Sequence, residues 1–186
     1  MKTVGIIGIG DMGSGIAKNR IKNGFETWGF DLSPERMSTF EKLGGRAAAS
    51  ISEVGANADV VFIMVMTGDQ AKHVIFSEGG LKDQLKKGST LILTATIKPK
   101  EAREIGADLK STDLEIIDSP VSGGFPGAQG GTLTMMAAGS DAALETCKDV
   151  MEAVSANIHR VGHECGEGQT VKACLQSLIG AQFSAT

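Results

Sequence analysis

Six residues near the start, Gly8-Ile9-Gly10-Asp11-Met12-Gly13, constrain this chain more than any other stretch. They follow the apolar run Val4-Gly5-Ile6-Ile7, which reads as a buried strand. They open a helical pattern over Met12–Lys22, with Ile16, Ala17 and Ile21 inward and Asn23-Gly24 as its stop. Each glycine has a mechanical task there: Gly8 makes the tight turn, Gly10 lets a ligand approach the backbone, and Gly13 lets helix pack on strand. The free N–H groups and partial positive charge of the helix start suit a phosphate. Such glycines also serve as plain structural turns, so the surroundings must decide.

Those surroundings alternate strand and helix. Phe25–Phe30 reads as a second strand closing on Asp31, and Ser33-Pro34 starts a helix with proline at its first position. Asp59–Met66 (DVVFIMVM) is a buried strand. Strands at Thr90–Leu93, Leu114–Ile117 and Leu133–Ala137 follow, with helices over Lys100–Leu109 and Ala142–Ala153 and a last short strand at Ile158–Val161. The expected fold is α/β, a doubly wound, mostly parallel sheet of Rossmann type over residues 1–162. Asp31 lies 18 residues beyond Gly13 at the end of the next strand, where a carboxylate can accept a hydrogen bond from a ribose 2′-hydroxyl. With that context a dinucleotide site outweighs a plain turn. The same carboxylate argues for NAD over NADP, because it would meet a 2′-phosphate with like charge. Leu32 offers no compensating cation, although Arg36 could reach back. An NTPase loop is excluded, since Lys87-Gly88-Ser89-Thr90 lacks the upstream glycine.

Composition removes other classes. Net charge is −4, aromatics make up 4%, and no basic run exists, so a general nucleic-acid surface is not expected. The 25 glycines fall in discrete clusters, which are turns and not low complexity. Cys147, Cys165 and Cys174 form no CxxC pair and read as reduced thiols. His163-Glu164-Cys165 has no second ligand pair at suitable spacing, so no metal is expected. Val4–Ile9 is too short and glycine-broken for a signal peptide or membrane span. The expected location is the cytoplasm, or an organelle matrix if a targeting segment is missing.

Two further stretches carry chemistry. Asp118-Ser119-Pro120-Val121-Ser122-Gly123-Gly124 leaves a strand end with a hydroxyl beside two bare glycines, whose consecutive amides can form a concave nest for a carboxylate. A glycine-rich surface turn is the plainer alternative. Beyond Gly162 the character changes: Gly168–Thr186 carries Val171, Leu175, Leu178 and Ile179 as a helical apolar stripe. Lys172 and Gln176 project on one face of that helix, four residues apart.

Taken together, these stretches resemble the β-hydroxyacid dehydrogenase family, which includes 3-hydroxyisobutyrate, tartronate semialdehyde and threonate enzymes. Gly8 to Gly13 is similar to its cofactor motif, methionine included. Thr94-Ala95-Thr96-Ile97-Lys98-Pro99 resembles its Ser-Thr-x-x-Pro segment near the nicotinamide ribose, with Ala95 in place of serine. Asp118–Gly124, continuing through Gly131-Thr132-Leu133-Thr134, is similar to the substrate motif, and Gly166-Glu167-Gly168 with Lys172 resembles the catalytic GxGxxxK. Gln176 stands where the family usually has asparagine, a change that looks like the threonate-type branch.

The resemblance implies an oxidoreductase with NAD as cofactor and reversible hydride transfer on a small hydroxy acid. Lys172 would be the general acid/base, Ser122, Gly123 and Gly124 the carboxylate site, and Gln176 a partner for a substrate hydroxyl. Gly8, Ile9, Gly10, Asp11, Met12, Gly13, Asp31, Met66, Thr67 and Thr96 would contact the cofactor. A 6-phosphogluconate-like decarboxylation is disfavoured, as no Arg or Lys cluster lies near Ser122. A non-catalytic dinucleotide-binding scaffold is the rival from another class. Residues 163–186 would begin an interdomain helix leading to an absent all-α domain through which the protein forms a homo-oligomer, a dimer or tetramer. Without that domain, Val171 and Leu175 would pack on the first domain, Leu178, Ile179 and Phe183 would extend past it, and Lys172 would sit in an open, wet site of low activity.

Overall fold

The computed structural model describes residues 2–184. In chain order the elements are β1 (Val4–Ile7), α1 (Asp11–Lys22), β2 (Thr27–Phe30), α2 (Pro34–Lys42), β3 (Arg46–Ala47), α3 (Ile51–Asn57), β4 (Val60–Ile63), α4 (Gly68–Phe76), α5 (Leu81–Gln84), β5 (Thr90–Leu93), α6 (Pro99–Leu109), β6 (Glu115–Asp118), β7 (Val121–Ser122), α7 (Gly124–Gly130), β8 (Leu133–Ala138), α8 (Asp141–Thr146), α9 (Lys148–Glu152), β9 (Ser155–Gly162) and α10 (Glu167–Ser184). Among the described residues the strands form one sheet in the order β3-β2-β1-β4-β5-β6-β8-β7, with β9 parallel on β8. The run from β3 to β6 is parallel, while β8 pairs antiparallel with β6 and β7. Strand order reverses between β1 and β4, the point of such a sheet where ligands bind beyond the carboxyl ends.

Strand pleat explains the layers. In β4, Val60 and Phe62 face one apolar cluster and Val61 and Ile63 the other; in β5, Ile92 joins the first, and Leu91 and Leu93 the second. A parallel strand covered by helices on both faces has no solvent side, so it reads as continuous hydrophobe and not as an alternation. α1 and α7 to α9 cover the first face; α3 to α6 cover the second. Ser33 caps α2 by accepting from the Arg36 amide, with Pro34 in the first turn, as its sequence indicates.

Several boundaries differ from the pattern-based reading. Asp59–Met66 contributes only Val60–Ile63 to the sheet; Met64 to Met66 leave it as a loop at the carboxyl edge. The single helix expected over Ala142–Ala153 is broken at Cys147 into α8 and α9, so that Cys147 turns into the core. The last strand is longer than Ile158–Val161 because β9 follows nearly all of β8. β3, α3, α4, α5, β7 and α7 carry too little periodicity to read locally. The last helix starts at Glu167, and Ala185 and Thr186, included in the expectation, lie outside the described residues.

Candidate functional site

The loops after β1, β2, β4, β5 and β6 all emerge at one edge of the sheet, because these strands are parallel. Gly8 has φ +92°, and a Cβ there would lie 2.2 Å from the Met64 carbonyl oxygen. A Cβ on Gly13 would lie 1.9 Å from the Gly8 carbonyl oxygen. Both positions are closed to side chains by backbone. Gly10 differs: its missing Cβ faces only the tip of Arg36, at 3.8 Å, on the side that opens to solvent at the start of the twelve-residue α1. One glycine with room above it, between two that have none, fits a diphosphate lying against bare backbone. Asp11 is exposed in the first turn of α1, and Met12 packs on the core.

Asp31 closes the other side of this loop. Its Oδ2 accepts from the Ile9 amide at 2.7 Å, and its Oδ1 from the Ser33 amide at 2.9 Å. Arg36 Nη1 stands 3.4 and 3.5 Å from the two carboxylate oxygens. Leu32 offers no cation, as its sequence indicates, and points into solvent, 90% exposed, while the reach of Arg36 that the sequence left open is realised: one turn of α2 brings it back over the carboxylate. Met66 and Thr67 follow β4 on the far side of the glycine loop. Met66 is 83% exposed, and Thr67 caps α4 by accepting from Gln70. After β5, Thr94 and Ala95 are buried and Thr96 is exposed at the same edge.

The glycine turn after β7 is built for close approach. Gly123 and Gly124 have φ of +122° and +58°, both are exposed, and Ser122 beside them is half-buried and paired with Thr134. α7 then docks this loop on α1. A Cβ on Gly15 would lie 2.5 Å from the Ala128 backbone, and Asn19 Nδ2 donates to the Ala128 oxygen at 2.8 Å and to Gln129 at 3.2 Å. The helix that starts at the first glycine loop thus holds the second one directly. Sequence reading missed Asn19 and this docking; Gly15, two residues past Gly13, was the available signal.

α10 lies across the carboxyl ends of β6 and β8 and on α6. A Cβ on Gly168 would lie 2.6 Å from the Met136 oxygen and 2.7 Å from that of Asp118, so only glycine lets the helix come this close. Next to it Asp118 is fully buried. Its Oδ2 accepts from the amides of Gly166 at 2.8 Å and Gln169 at 3.1 Å, and its Oδ1 from Gln169 Nε2 at 2.8 Å. Gln169 also donates to the Ala95 oxygen at 2.9 Å and accepts from the Ile97 amide at 3.0 Å. Burial pushes the Asp118 carboxyl up from the ordinary value, against these N–H donors. Neither Asp118 nor Gln169 was assigned a role from sequence.

One turn after Gly168, Lys172 is only 7% exposed, and loss of water lowers its pKa. The open, wet lysine expected for this chain is not what the structure holds. The expected packing of Val171 and Leu175 is corrected with it: Val171 is exposed and Leu175 only half-buried, because the face that meets the sheet carries Gly168, Gln169 and Lys172. Gln176, one turn on from Lys172, is exposed, as is Leu178. His163 faces Arg160 Nη2 at 2.7 Å, and burial pushes the Cys165 thiol up to about 12. Among the described residues no group of three His, Cys, Asp or Glu could hold a metal ion, and no helix is long and apolar enough to cross a membrane.

Residues 3–162 match the family described as the NAD binding domain of 6-phosphogluconate dehydrogenase. The L-threonate dehydrogenase of Escherichia coli strain K12 is 39% identical over 98% of this chain, which spans 61% of that protein's length. The probable mitochondrial 3-hydroxyisobutyrate dehydrogenase of Dictyostelium discoideum is 37% identical over 99% of this chain, which spans 57% of that protein. The crystal structure of 3-hydroxyisobutyrate dehydrogenase from Salmonella typhimurium superposes with a TM-score of 0.93 at 38% identity, over all of this chain and 65% of that one.

Proposed function

The chain belongs to the family of the NAD-binding domain of 6-phosphogluconate dehydrogenase, and on that premise we propose that it is the cofactor-binding and proton-transferring part of a dehydrogenase for a small hydroxy acid of the L-threonate or 3-hydroxyisobutyrate type. The observation that carries this reading is Lys172, an ammonium drawn out of water on a helix clamped to the same sheet edge as the open glycine. A dinucleotide-binding scaffold without catalysis has no use for a desolvated lysine, which only costs it stability.

The Gly8–Gly13 loop cradles the diphosphate with the free amides at the start of α1, those of Gly8 and Ile9 being held by Phe30 and Asp31, and Asp31 accepts from the adenosine ribose. Met66, Thr67 and Thr96 line the remaining loop ends at the cofactor edge. NAD held there supplies the hydride acceptor or donor, which no side chain provides. Ser122 and the amides of Gly123 and Gly124 hold the substrate carboxylate. Lys172 Nζ, neutral, takes the proton of the substrate hydroxyl during oxidation and returns it during reduction. A lowered pKa raises the fraction of neutral amine at physiological pH, which a base needs. Gln176, reaching one turn further along the same face, hydrogen-bonds a hydroxyl of the acid; glutamine at this position favours the more hydroxylated threonate-type substrate.

We place the boundary of the cofactor domain at Gly162, with 163–186 leading toward a helical domain that closes the site and joins subunits of a cytoplasmic homo-oligomer. The exposed Leu178 belongs to the surface such a domain would cover. The test is NADH formation from threonate, 3-hydroxyisobutyrate and glycerate by a protein carrying this chain, with and without Lys172→Ala. Turnover of one of the acids, reduced about 10²–10⁴-fold by the substitution, is expected. No NADH from any of the three, or a variant keeping more than a tenth of the rate, would remove the assignment.

A further inference from the structure

Asp31 in this chain is not a bare carboxylate. Both of its oxygens are occupied by backbone amides, those of Ile9 and Ser33, and its side chain is 8% exposed. It is thereby locked in place. Arg36 is the opposite: its side chain is 54% exposed and its guanidinium touches both Asp31 oxygens only at 3.4–3.5 Å, longer than a good charge-assisted hydrogen bond. It also lies 3.8 Å from where a Cβ on Gly10 would sit, so it borders the open face of the cradle. Arg36 belongs to the first turn of α2, whose amides add partial positive charge at the same place. The local charge that an adenosine 2′-substituent meets is therefore near neutral, with a fixed acceptor and a movable donor.

Resting on the cofactor reading above, we propose that Arg36 is the residue that sets cofactor choice, and that the site takes a 2′-phosphate as well as a free 2′-hydroxyl. With a 2′,3′-diol, Asp31 accepts from the ribose while Arg36 keeps its loose pairing. With a 2′-phosphate, Arg36 exchanges Asp31 for the dianion. Asp31 loses little by this, because the Ile9 and Ser33 amides still hold it. The like-charge argument from Asp31 alone then overstates the preference for NAD. A guanidinium on a phosphate is worth about tenfold to a hundredfold in affinity.

The experiment is calorimetric titration of the 186-residue chain with NAD and with NADP, on the native protein, Arg36→Ala and Arg36→Lys. Arg36 is exposed, and melting curves establish that each variant is folded. The native chain is expected to bind the two cofactors within about tenfold of each other. In Arg36→Ala the NADP-to-NAD affinity ratio should fall about tenfold or more, and Arg36→Lys should restore part of it. AMP and adenosine 2′,5′-bisphosphate, titrated as probes of the adenosine end alone, should show the same change of ratio. An unchanged ratio in Arg36→Ala, with NAD still bound, overturns the role of Arg36 and leaves the cofactor reading standing. A native preference for NAD beyond about a hundredfold overturns it as well. Failure of the native chain to bind either cofactor overturns the cofactor reading itself, and this inference with it.

Discussion

Gln169 grips Asp118 with both its groups: its side-chain amide donates to Oδ1 at 2.8 Å and its backbone amide to Oδ2 at 3.1 Å. The same side chain bridges Ala95 and Ile97, so one glutamine joins α10, the end of β6 and the loop after β5. Lys172 lies one turn along the face that this grip presses onto the sheet.

Gln169→Ala removes the partners of a buried carboxylate oxygen, a carbonyl and an amide at once. Orphaned buried polar groups cost about 1–3 kcal/mol each, offset where water enters, so a net loss of about 2–4 kcal/mol in a urea titration is expected. In a turnover assay the same variant should shift the pH profile of Lys172, since the helix that keeps it out of water is loosened. A loss below about 0.5 kcal/mol with an unmoved profile would show that α10 is held by other contacts.

Two of the motif glycines, Gly13 and Gly10, should separate by assay. Gly13→Ala sets a Cβ against the Gly8 carbonyl oxygen, so the protein should be destabilised by several kcal/mol or fail to fold. Gly10→Ala meets only the mobile end of Arg36 and should change stability by no more than about 0.5 kcal/mol. Under the proposed cofactor reading its methyl group would occupy the space of the diphosphate, so NAD affinity should drop at least tenfold. A Gly10→Ala protein that binds NAD normally would mean that the diphosphate lies elsewhere.

Arg20 is a buried cation without a hydrogen-bond partner among the described residues, stacked 4.0 Å from the Phe62 ring centroid. Burial lowers its pKa to about 9, partly offset by attraction to Cys147 and Asp149. Replacing a buried charge by an apolar side chain of similar length often stabilises by about 1–4 kcal/mol. Arg20→Met should do so at pH 7, read from the denaturation midpoint. The unfolded guanidinium keeps its proton to higher pH, so native stability rises above pH 9 and the advantage of Met shrinks. Destabilisation at pH 7 would give the ring stacking the larger weight.

Lys172→Met should leave the fold at least as stable as the native one at pH 7. The folded pKa of Lys172 lies below the ordinary lysine value, so between the two the unfolded chain binds the extra proton and native stability rises with pH. The stability difference between variant and native should therefore shrink as the solution is made alkaline. A difference that stays constant from neutral pH to above the ordinary lysine value would place Lys172 in water.

Local chemistry is what the residues reveal when read alone. Val4–Ile7 and Val60–Ile63 are apolar on both faces and can only be covered strands, Pro34 and Ser33 start a helix by backbone rules, and Gly8, Gly10 and Gly13 make one particular turn. Asp31 was legible as the carboxylate at the next strand end, and Lys172 as a candidate by resemblance. Each depends on neighbours within about one element, so the order of residues carries the information.

Tertiary structure alone decided which of these groups meet water and which meet each other. The apolar stripe of α10 suggested that Val171 would face inward, yet the approach of Gly168 to the Asp118 and Met136 carbonyls turns Lys172 inward. Asp118 and Gln169 are 51 positions apart, and Asn19 and Ala128 are 109 apart. No periodicity encodes such pairs, because a hydrogen bond between distant residues exists only once the sheet has brought their elements within three ångströms. The charge beside the glycine loop is of the same kind: Asp31 is acidic in any conformation, and only the first turn of α2 puts Arg36 against it.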